Sequence, residues 1–152
     1  MKRQIRQGVF ETNSSSEHSI AVVAYSDYDR WKKGELVARS LGRKESTDPA
    51  GNFWSYIHNI EFAPVEQKDE LNINFLKEHY KDYCDPDNGW RAYTSAEELI
   101  QRYERGILEG DMCMYTSYED FMKYGFDGEP YCDHFSHSAP NGLKEFGTYY
   151  HT

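Results

Sequence analysis

Ser19-Ile20-Ala21-Val22-Val23-Ala24-Tyr25, followed without a break by Ser26-Asp27-Tyr28-Asp29-Arg30-Trp31, is the stretch whose reading decides the fold. Its first seven residues hold a short continuous apolar run bounded by polar positions. At that length the run reads as a strand, covered on both faces at the centre of a sheet. The next six change period: a hydroxyl, then acids, then a large aromatic residue. That is the order of an N-cap, a negatively charged first turn and a core-facing side chain in a helix. A strand running straight into a short capped helix places the chain among α+β folds.

The pattern that starts at Tyr25 recurs as Tyr93-Thr94-Ser95-Ala96-Glu97-Glu98-Leu99 and as Tyr115-Thr116-Ser117-Tyr118-Glu119-Asp120-Phe121. Ser26 with Asp29 is a shortened capping box, and in the second copy Ser95 with Glu98 and Thr94 with Glu97 are alternative registers. Gly34, Gly106 and Gly125 are the matching helix stops. Seven residues are too few for a solenoid, so the repetition reads as recurrent capping chemistry. Upstream, residues 3–10 read as another strand. Downstream, residues 42–52 form a polar, turn-rich sequence expected to be an exposed loop. Residues 53–62 are aromatic and partly alternating, either a strand or a short helix. Leu71, Phe75, Leu76, His79 and Tyr80 fall at helical spacing within 70–83, and that helix is expected to stop before Cys84-Asp85-Pro86-Asp87-Asn88-Gly89. Residues 128–152 lack a period and read as a largely irregular tail with at most one short strand. The expectation is a single α+β domain over 1–152, with a mainly antiparallel sheet and short capped helices on one face. Tyr28, Trp31, Trp54, Tyr56, Phe75, Tyr80, Phe121 and Tyr124 are its candidate core or interface aromatics.

The chain has 152 residues, a length of one domain. Hydrophobic residues are only 38%, yet 16% are aromatic, and aromatic residues are what disordered chains lack. No window approaches the roughly 18 apolar residues of a membrane span. The basic start Met1-Lys2-Arg3-Gln4-Ile5-Arg6 is not followed by an apolar run, so no signal peptide is read and a cytoplasmic location is expected. With 17 basic and 26 acidic residues the net charge is -9, which argues against a general nucleic-acid coat protein and against direct nucleic-acid binding. The charge is unevenly placed. Residues 1–44 hold nine basic and five acidic residues, a local +4, and residues 45–152 hold 8 and 21, a local -13. Such asymmetry describes either two solvated faces of one domain or an acidic surface that meets a basic protein, standing in for the phosphates of a nucleic acid. In the second case Glu97, Glu98, Glu104, Glu119 and Asp120 are the candidate partner-binding residues.

Three cysteines, Cys84, Cys113 and Cys132, are an odd number and read as reduced thiols. Cys132, His134 and His137 offer a thiolate and two imidazoles within six residues, competent for zinc if Cys84, Cys113, Asp133 or His151 supplied a fourth ligand. The second short ligand pair of a structural zinc site is missing, so no metal or cofactor is assigned. Residues 84–89 do not make a calcium loop, because the acids are compressed and no closing Glu follows. A nucleophile elbow, a Walker loop and a dinucleotide fingerprint are absent.

The most distinctive local sequence is Gly8-Val9-Phe10-Glu11-Thr12-Asn13-Ser14-Ser15-Ser16-Glu17-His18-Ser19. It resembles an N-terminal signature of small uncharacterised phage and prophage proteins of Gram-positive hosts. The resemblance covers residues 3–20, implies a phage setting and the cytoplasm of a bacterial host cell, and carries no activity. Such a loop can fix a sharp connection through Asn and Ser side chains bonded to neighbouring backbone groups. It can also hold an anion through Arg3, Arg6, Asn13, Ser14, Ser15 and Ser16, with Glu11 or His18 as the proton-transfer candidate. Two functions follow. One is an accessory protein that binds and inhibits a host protein, such as a nucleic-acid-handling defence complex, through its acidic surface. The other is a protein or enzyme that binds a small phosphorylated ligand or nucleotide at loop 11–18. No second catalytic residue can be assigned, so an enzyme is the less favoured expectation.

Overall fold

The structure, a computed structural model, describes residues 16–47, 53–83, 95–105, 112–126 and 132–150. These run through β1 (Ser16–Ala24), α1 (Tyr25–Lys32), β2 (Leu36–Thr47), β3 (Phe53–Pro64), a 3-10 turn (Val65–Gln67), α2 (Lys68–Tyr83), α3 (Ala96–Glu104), α4 (Tyr118–Tyr124), β4 (Asp133–Ala139) and β5 (Leu143–Tyr150). The strands form one sheet in the order β2-β3-β1-β5-β4. Only β1 and β3 are parallel, and the other three pairings are antiparallel. The chain is therefore α+β, with a mainly antiparallel sheet and four helices among the described residues.

The apolar run does lie at the centre of the sheet. It is covered on one face rather than two: Ser19, Ala21 and Val23 are buried, while Val22 between them is 51% exposed. Strand alternation sends successive side chains to opposite faces, and the helices cover the odd-numbered one here. Trp31 of α1 is fully buried at the middle of that core, with ring neighbours in Phe62, Tyr118, Phe121 and Phe146. Its indole N–H donates to the Thr116 carbonyl at 3.0 Å, which satisfies the polar end of the largest core side chain. A second, smaller cluster joins Val37, Ala63 and Tyr115 with Leu71 of α2. Val37 and Ala63 are cross-strand partners on the face opposite Leu36 and Ala38.

Ser95 and Ser117 cap α3 and α4, accepting from the backbone N–H of Glu98 and Asp120, each at 3.1 Å. The first copy of the pattern behaves differently. Helix α1 starts at Tyr25, its N-cap is Ala24 without a side-chain bond, and Ser26 lies inside the first turn. The preceding strand leads directly into the helix, leaving Ser26 no place at the cap. Gly34 (φ 86) and Gly125 (φ 70) end α1 and α4 in conformations that favour glycine. Gly106 and Thr94 lie outside the described residues, as do residues 3–10.

Residues 53–62 are strand, part of β3. Two expectations are corrected. Residues 42–47, read as loop, continue β2 and pair with β3 out to Thr47↔Trp54. The polar side chains of residues 43–45 are accommodated because they are exposed, with Arg43 stacked over the Tyr56 ring at 4.1 Å. Residues 48–52 lie outside the described residues. The tail contains a hairpin instead of irregular chain: β4 and β5 pair from Asp133↔Tyr149 to Ala139↔Leu143. Its turn holds Asn141 (φ 64) and Gly142 (φ 75), the two residue types that tolerate this backbone. β4 is an edge strand with polar side chains on both faces, which hid its period.

Candidate functional site

Ser40 pairs with Ile60 and Gly42 with Asn59, so Leu41 is an extra residue, a bulge in β2. A bulge bends its strand and re-aims the side chains beside it. At this point an open cleft of about 420 Å³ lies between residues 39–43, His58 of β3, Phe75 of α2, residues 112–113 and Phe126. That is the size of a small-molecule site. Two lining residues are arginines, Arg39 and Arg43, and none of the described lining residues is a carboxylate.

His58 is the cross-strand partner of Arg43 and is 8% exposed. Its ring lies flat against Phe126, with centroids 4.0 Å apart and planes 10° from parallel. Nδ1 is 2.8 Å from Ser40 Oγ, and Ser40 Oγ donates to the Gly42 carbonyl at 3.2 Å. A hydroxyl carries one proton, so both contacts are satisfied together only when Nδ1 holds the imidazole proton and Ser40 accepts it. Nε2 is then a bare acceptor, and it is buried with no hydrogen-bond partner. Burial, with a smaller push from Arg43, lowers the His58 pKa to about 4, so the ring is neutral near pH 7. Ser40 and His58 are thus a hydroxyl–imidazole pair without the orienting carboxylate of an acyl-transfer triad, on an imidazole that resists protonation. The arrangement suits binding and orientation better than nucleophilic attack.

Arg39 pairs with Glu61 (Nε to Oε1, 2.9 Å) and lies over the Tyr115 ring at 5.1 Å. The Tyr115 hydroxyl donates to the same Glu61 oxygen at 2.6 Å. That bond is the main force holding the Glu61 carboxyl below its ordinary range, and Arg39 adds to it against desolvation. Tyr115 is itself pinned by buried Asn72. Asn72 Oδ1 accepts from the Tyr115 N–H at 2.8 Å, and its amide donates to the Tyr115 carbonyl at 2.9 Å and the Tyr103 hydroxyl at 3.0 Å. Tyr103 in turn donates to Asp69 at 2.8 Å, and burial first, then Asp69, pushes its pKa up to about 12. Residues 112–116 also pair with β2 through the Ala38 and Ser40 backbone. One wall of the cleft is therefore fixed by a side-chain network from α2 and α3 and by a strip of extra sheet.

Arg3, Arg6, Glu11, Asn13, Ser14 and Ser15 lie outside the described residues. Ser16 opens β1, its side chain also outside them. His18 is half-buried with its ring 5.7 Å from Tyr149, on the sheet face opposite Ser19 and away from the cleft. Glu97 and Glu98 occupy the first turn of α3, Glu104 its last residue, and Glu119 and Asp120 the first turn of α4. All are exposed except half-buried Glu98. Helix α3 packs on α2 and α4 on α1, so the acids belong to two separate helix pairs. Four of the five sit where a helix dipole favours negative charge.

Cys132 Sγ lies 3.8 Å from His134 Nε2, but His137 does not join them. Three residues along a strand lead to the opposite face, where His137 meets its cross-strand partner Glu145 at 3.1 Å. Among the described residues no group of three His, Cys, Asp or Glu converges on a metal position. Cys113 and Cys132 are not joined in a disulfide, and Cys84 and His151 lie outside the described residues. Sequence reasoning missed the cleft. The available signal was Leu41-Gly42, a glycine interrupting a strand pattern, which marks a bulge. No family model, curated protein or solved structure matches the chain.

Proposed function

We propose that the protein binds a small phosphorylated molecule in the cleft beside His58. The observation that carries this reading is the pair of guanidinium groups in the lining, with no carboxylate among its described residues, in a chain with 26 acidic and 17 basic residues. Arginine presents a planar fork of donors that matches phosphate oxygens, and Arg43 is the more exposed of the two. Phe75, Met112 and Phe126 supply apolar walls that strengthen such contacts by excluding water. This reading puts at the cleft the phosphate-ligand chemistry expected of loop 11–18, most of which lies outside the described residues. Titration calorimetry with inorganic phosphate tests it. Arg43→Ala is expected to weaken binding by about tenfold or more and Arg43→Lys by less, because lysine keeps the charge and loses the fork. Arg30→Ala, at an exposed pair with Glu35, is the control expected to bind as the parent does. Equal binding by the parent and Arg43→Ala would remove the reading.

A second reading, a phage-type protein that binds and inhibits a basic host protein such as a nucleic-acid-handling complex, is supported by the exposure of Glu97, Glu104, Glu119 and Asp120. The resemblance of residues 3–20 supports the phage setting. Association through those acids would weaken with salt.

A further inference from the structure

Among the described residues, four buried side-chain polar atoms lack a hydrogen-bond partner: Ser19 Oγ, His58 Nε2, His134 Nδ1 and Thr148 Oγ1. All four fall on one patch of one sheet face. Ser19 pairs with Thr148 and Thr148 with His134, so three of them stand in a row across β1, β5 and β4. Tyr56 is the partner of Ser19 on β3, and His58, two residues further along, projects on the same face beside that row. Directly opposed residues in a sheet hold their Cβ atoms about 5 Å apart and diagonal ones about 7–8 Å, so Ser19, Thr148 and His134 are successive neighbours and His58 lies diagonally from Ser19. Ser19 is 1% exposed and Thr148 0%. Buried polar groups in folded proteins are almost always paired, and unpaired ones mark places where an ordered water, an ion or a ligand can sit.

The chemistry of the patch restricts that occupant. Each hydroxyl both donates and accepts, and His58 Nε2 accepts. Burial lowers the pKa of both histidines, against the Met122 carbonyl and Asp133 in the case of His134, so the patch carries no charge near neutral pH. Neutral groups that donate and accept complement hydroxyls, not a second anion. His58 lines the cleft and is the point where patch and cleft meet. Phe126, flat against the imidazole, lines the cleft beside it.

Resting on the reading of the cleft as a phosphate site, we infer that the patch receives the hydroxyls of a phosphorylated polyol, a sugar phosphate whose phosphate group sits at Arg43. The test is titration calorimetry of the full chain with inorganic phosphate, ribose 5-phosphate, glucose 6-phosphate and glycerol 3-phosphate, for the parent and for Thr148→Val, with melting temperatures of both proteins without ligand. At least one of the polyol phosphates is expected to bind about tenfold tighter than inorganic phosphate, and Thr148→Val, nearly isosteric, to erase most of that difference. The variant's melting temperature without ligand is expected not to fall, because the hydroxyl has no partner in the chain to lose. A lower melting temperature with the polyol preference intact would assign the hydroxyl to buried water that serves the fold, overturning the inference. Polyol phosphates that bind no tighter than phosphate would overturn it too, while leaving the phosphate reading standing. No binding of any of the four would overturn both.

Discussion

His58 and Asn72 show two opposite ways of handling a buried polar side chain. His58 is kept neutral by its surroundings, and that has a definite consequence for acid stability. Its folded pKa, about 4, lies below the 6.5 of an unperturbed imidazole, so between those values the unfolded chain binds the proton and the folded chain does not. Stability is therefore at its full value above about pH 6.5, falls as pH drops, and levels off below about pH 4, a loss on the order of 3 kcal/mol. Urea unfolding at about pH 7 and about pH 4.5 is expected to show a smaller acid loss for His58→Phe than for the parent, the difference reporting the imidazole alone. An equal loss in the two proteins would mean that His58 protonates normally in the fold. Asn72, in contrast, is fully satisfied: two donors and one acceptor all engaged, at 1% exposure. Asn72→Ala leaves the Tyr115 N–H and carbonyl without their bonds to the Asn72 side chain, at a cost of about 2–4 kcal/mol in urea unfolding. Asn72→Asp should be no rescue, because a carboxylate cannot donate to the Tyr103 hydroxyl or the Tyr115 carbonyl.

The helices differ in how their first turns are held, and this separates three serines that look alike in the sequence. Ser95→Ala and Ser117→Ala each remove an N-cap bond and are expected to cost about 1 kcal/mol by thermal or urea unfolding. Ser26→Ala is expected to change stability by no more than a few tenths of that, since Ser26 is exposed inside the first turn and Ala is the better helix former. Caps and the helix over 70–83 were legible in the sequence because their signals are local, three or four residues apart. The hairpin of β4 and β5 was legible in principle through Asn141-Gly142, but the polar edge strand beside it masked the alternation. The extension of β2 through residues 42–47 was not legible, because what makes those polar residues strand is their partner β3 rather than their own pattern. The candidate site was the least legible part. Its pieces come from β2, β3, α2 and residues 112–126, and its wall depends on an Asn72–Tyr115 contact that spans 43 residues. Only the bulge left a local trace.

At the scale of the molecule, the charge asymmetry read along the chain acquires a location. Arg39 and Arg43 belong to the basic first 44 residues and line the cleft, while Glu97, Glu104, Glu119 and Asp120 stand exposed on α3 and α4. No helix among the described residues is long and apolar enough to cross a membrane. Arginines lining the cleft and acids exposed on α3 and α4 make the two functional readings separable in one pair of variants. Reversing Glu97, Glu104, Glu119 and Asp120 to Lys changes a field that acts over about 10 Å at about 0.1 M salt and about 3 Å at about 1 M. If the acids are an interface, a basic protein retained from host-cell extract by the immobilised parent is expected to be lost with the four-lysine variant, to be retained by Arg43→Ala, and to elute as salt rises over that range. If the cleft is the functional site, Arg43→Ala weakens calorimetric binding of inorganic phosphate by about tenfold or more and the four-lysine variant keeps it, within about threefold, because long-range charge steers encounter more than it sets affinity at a contact. Phosphate binding lost equally in both variants would show that the overall field, and not the guanidinium pair beside His58, attracts the anion, and the cleft would lose its standing as a built site.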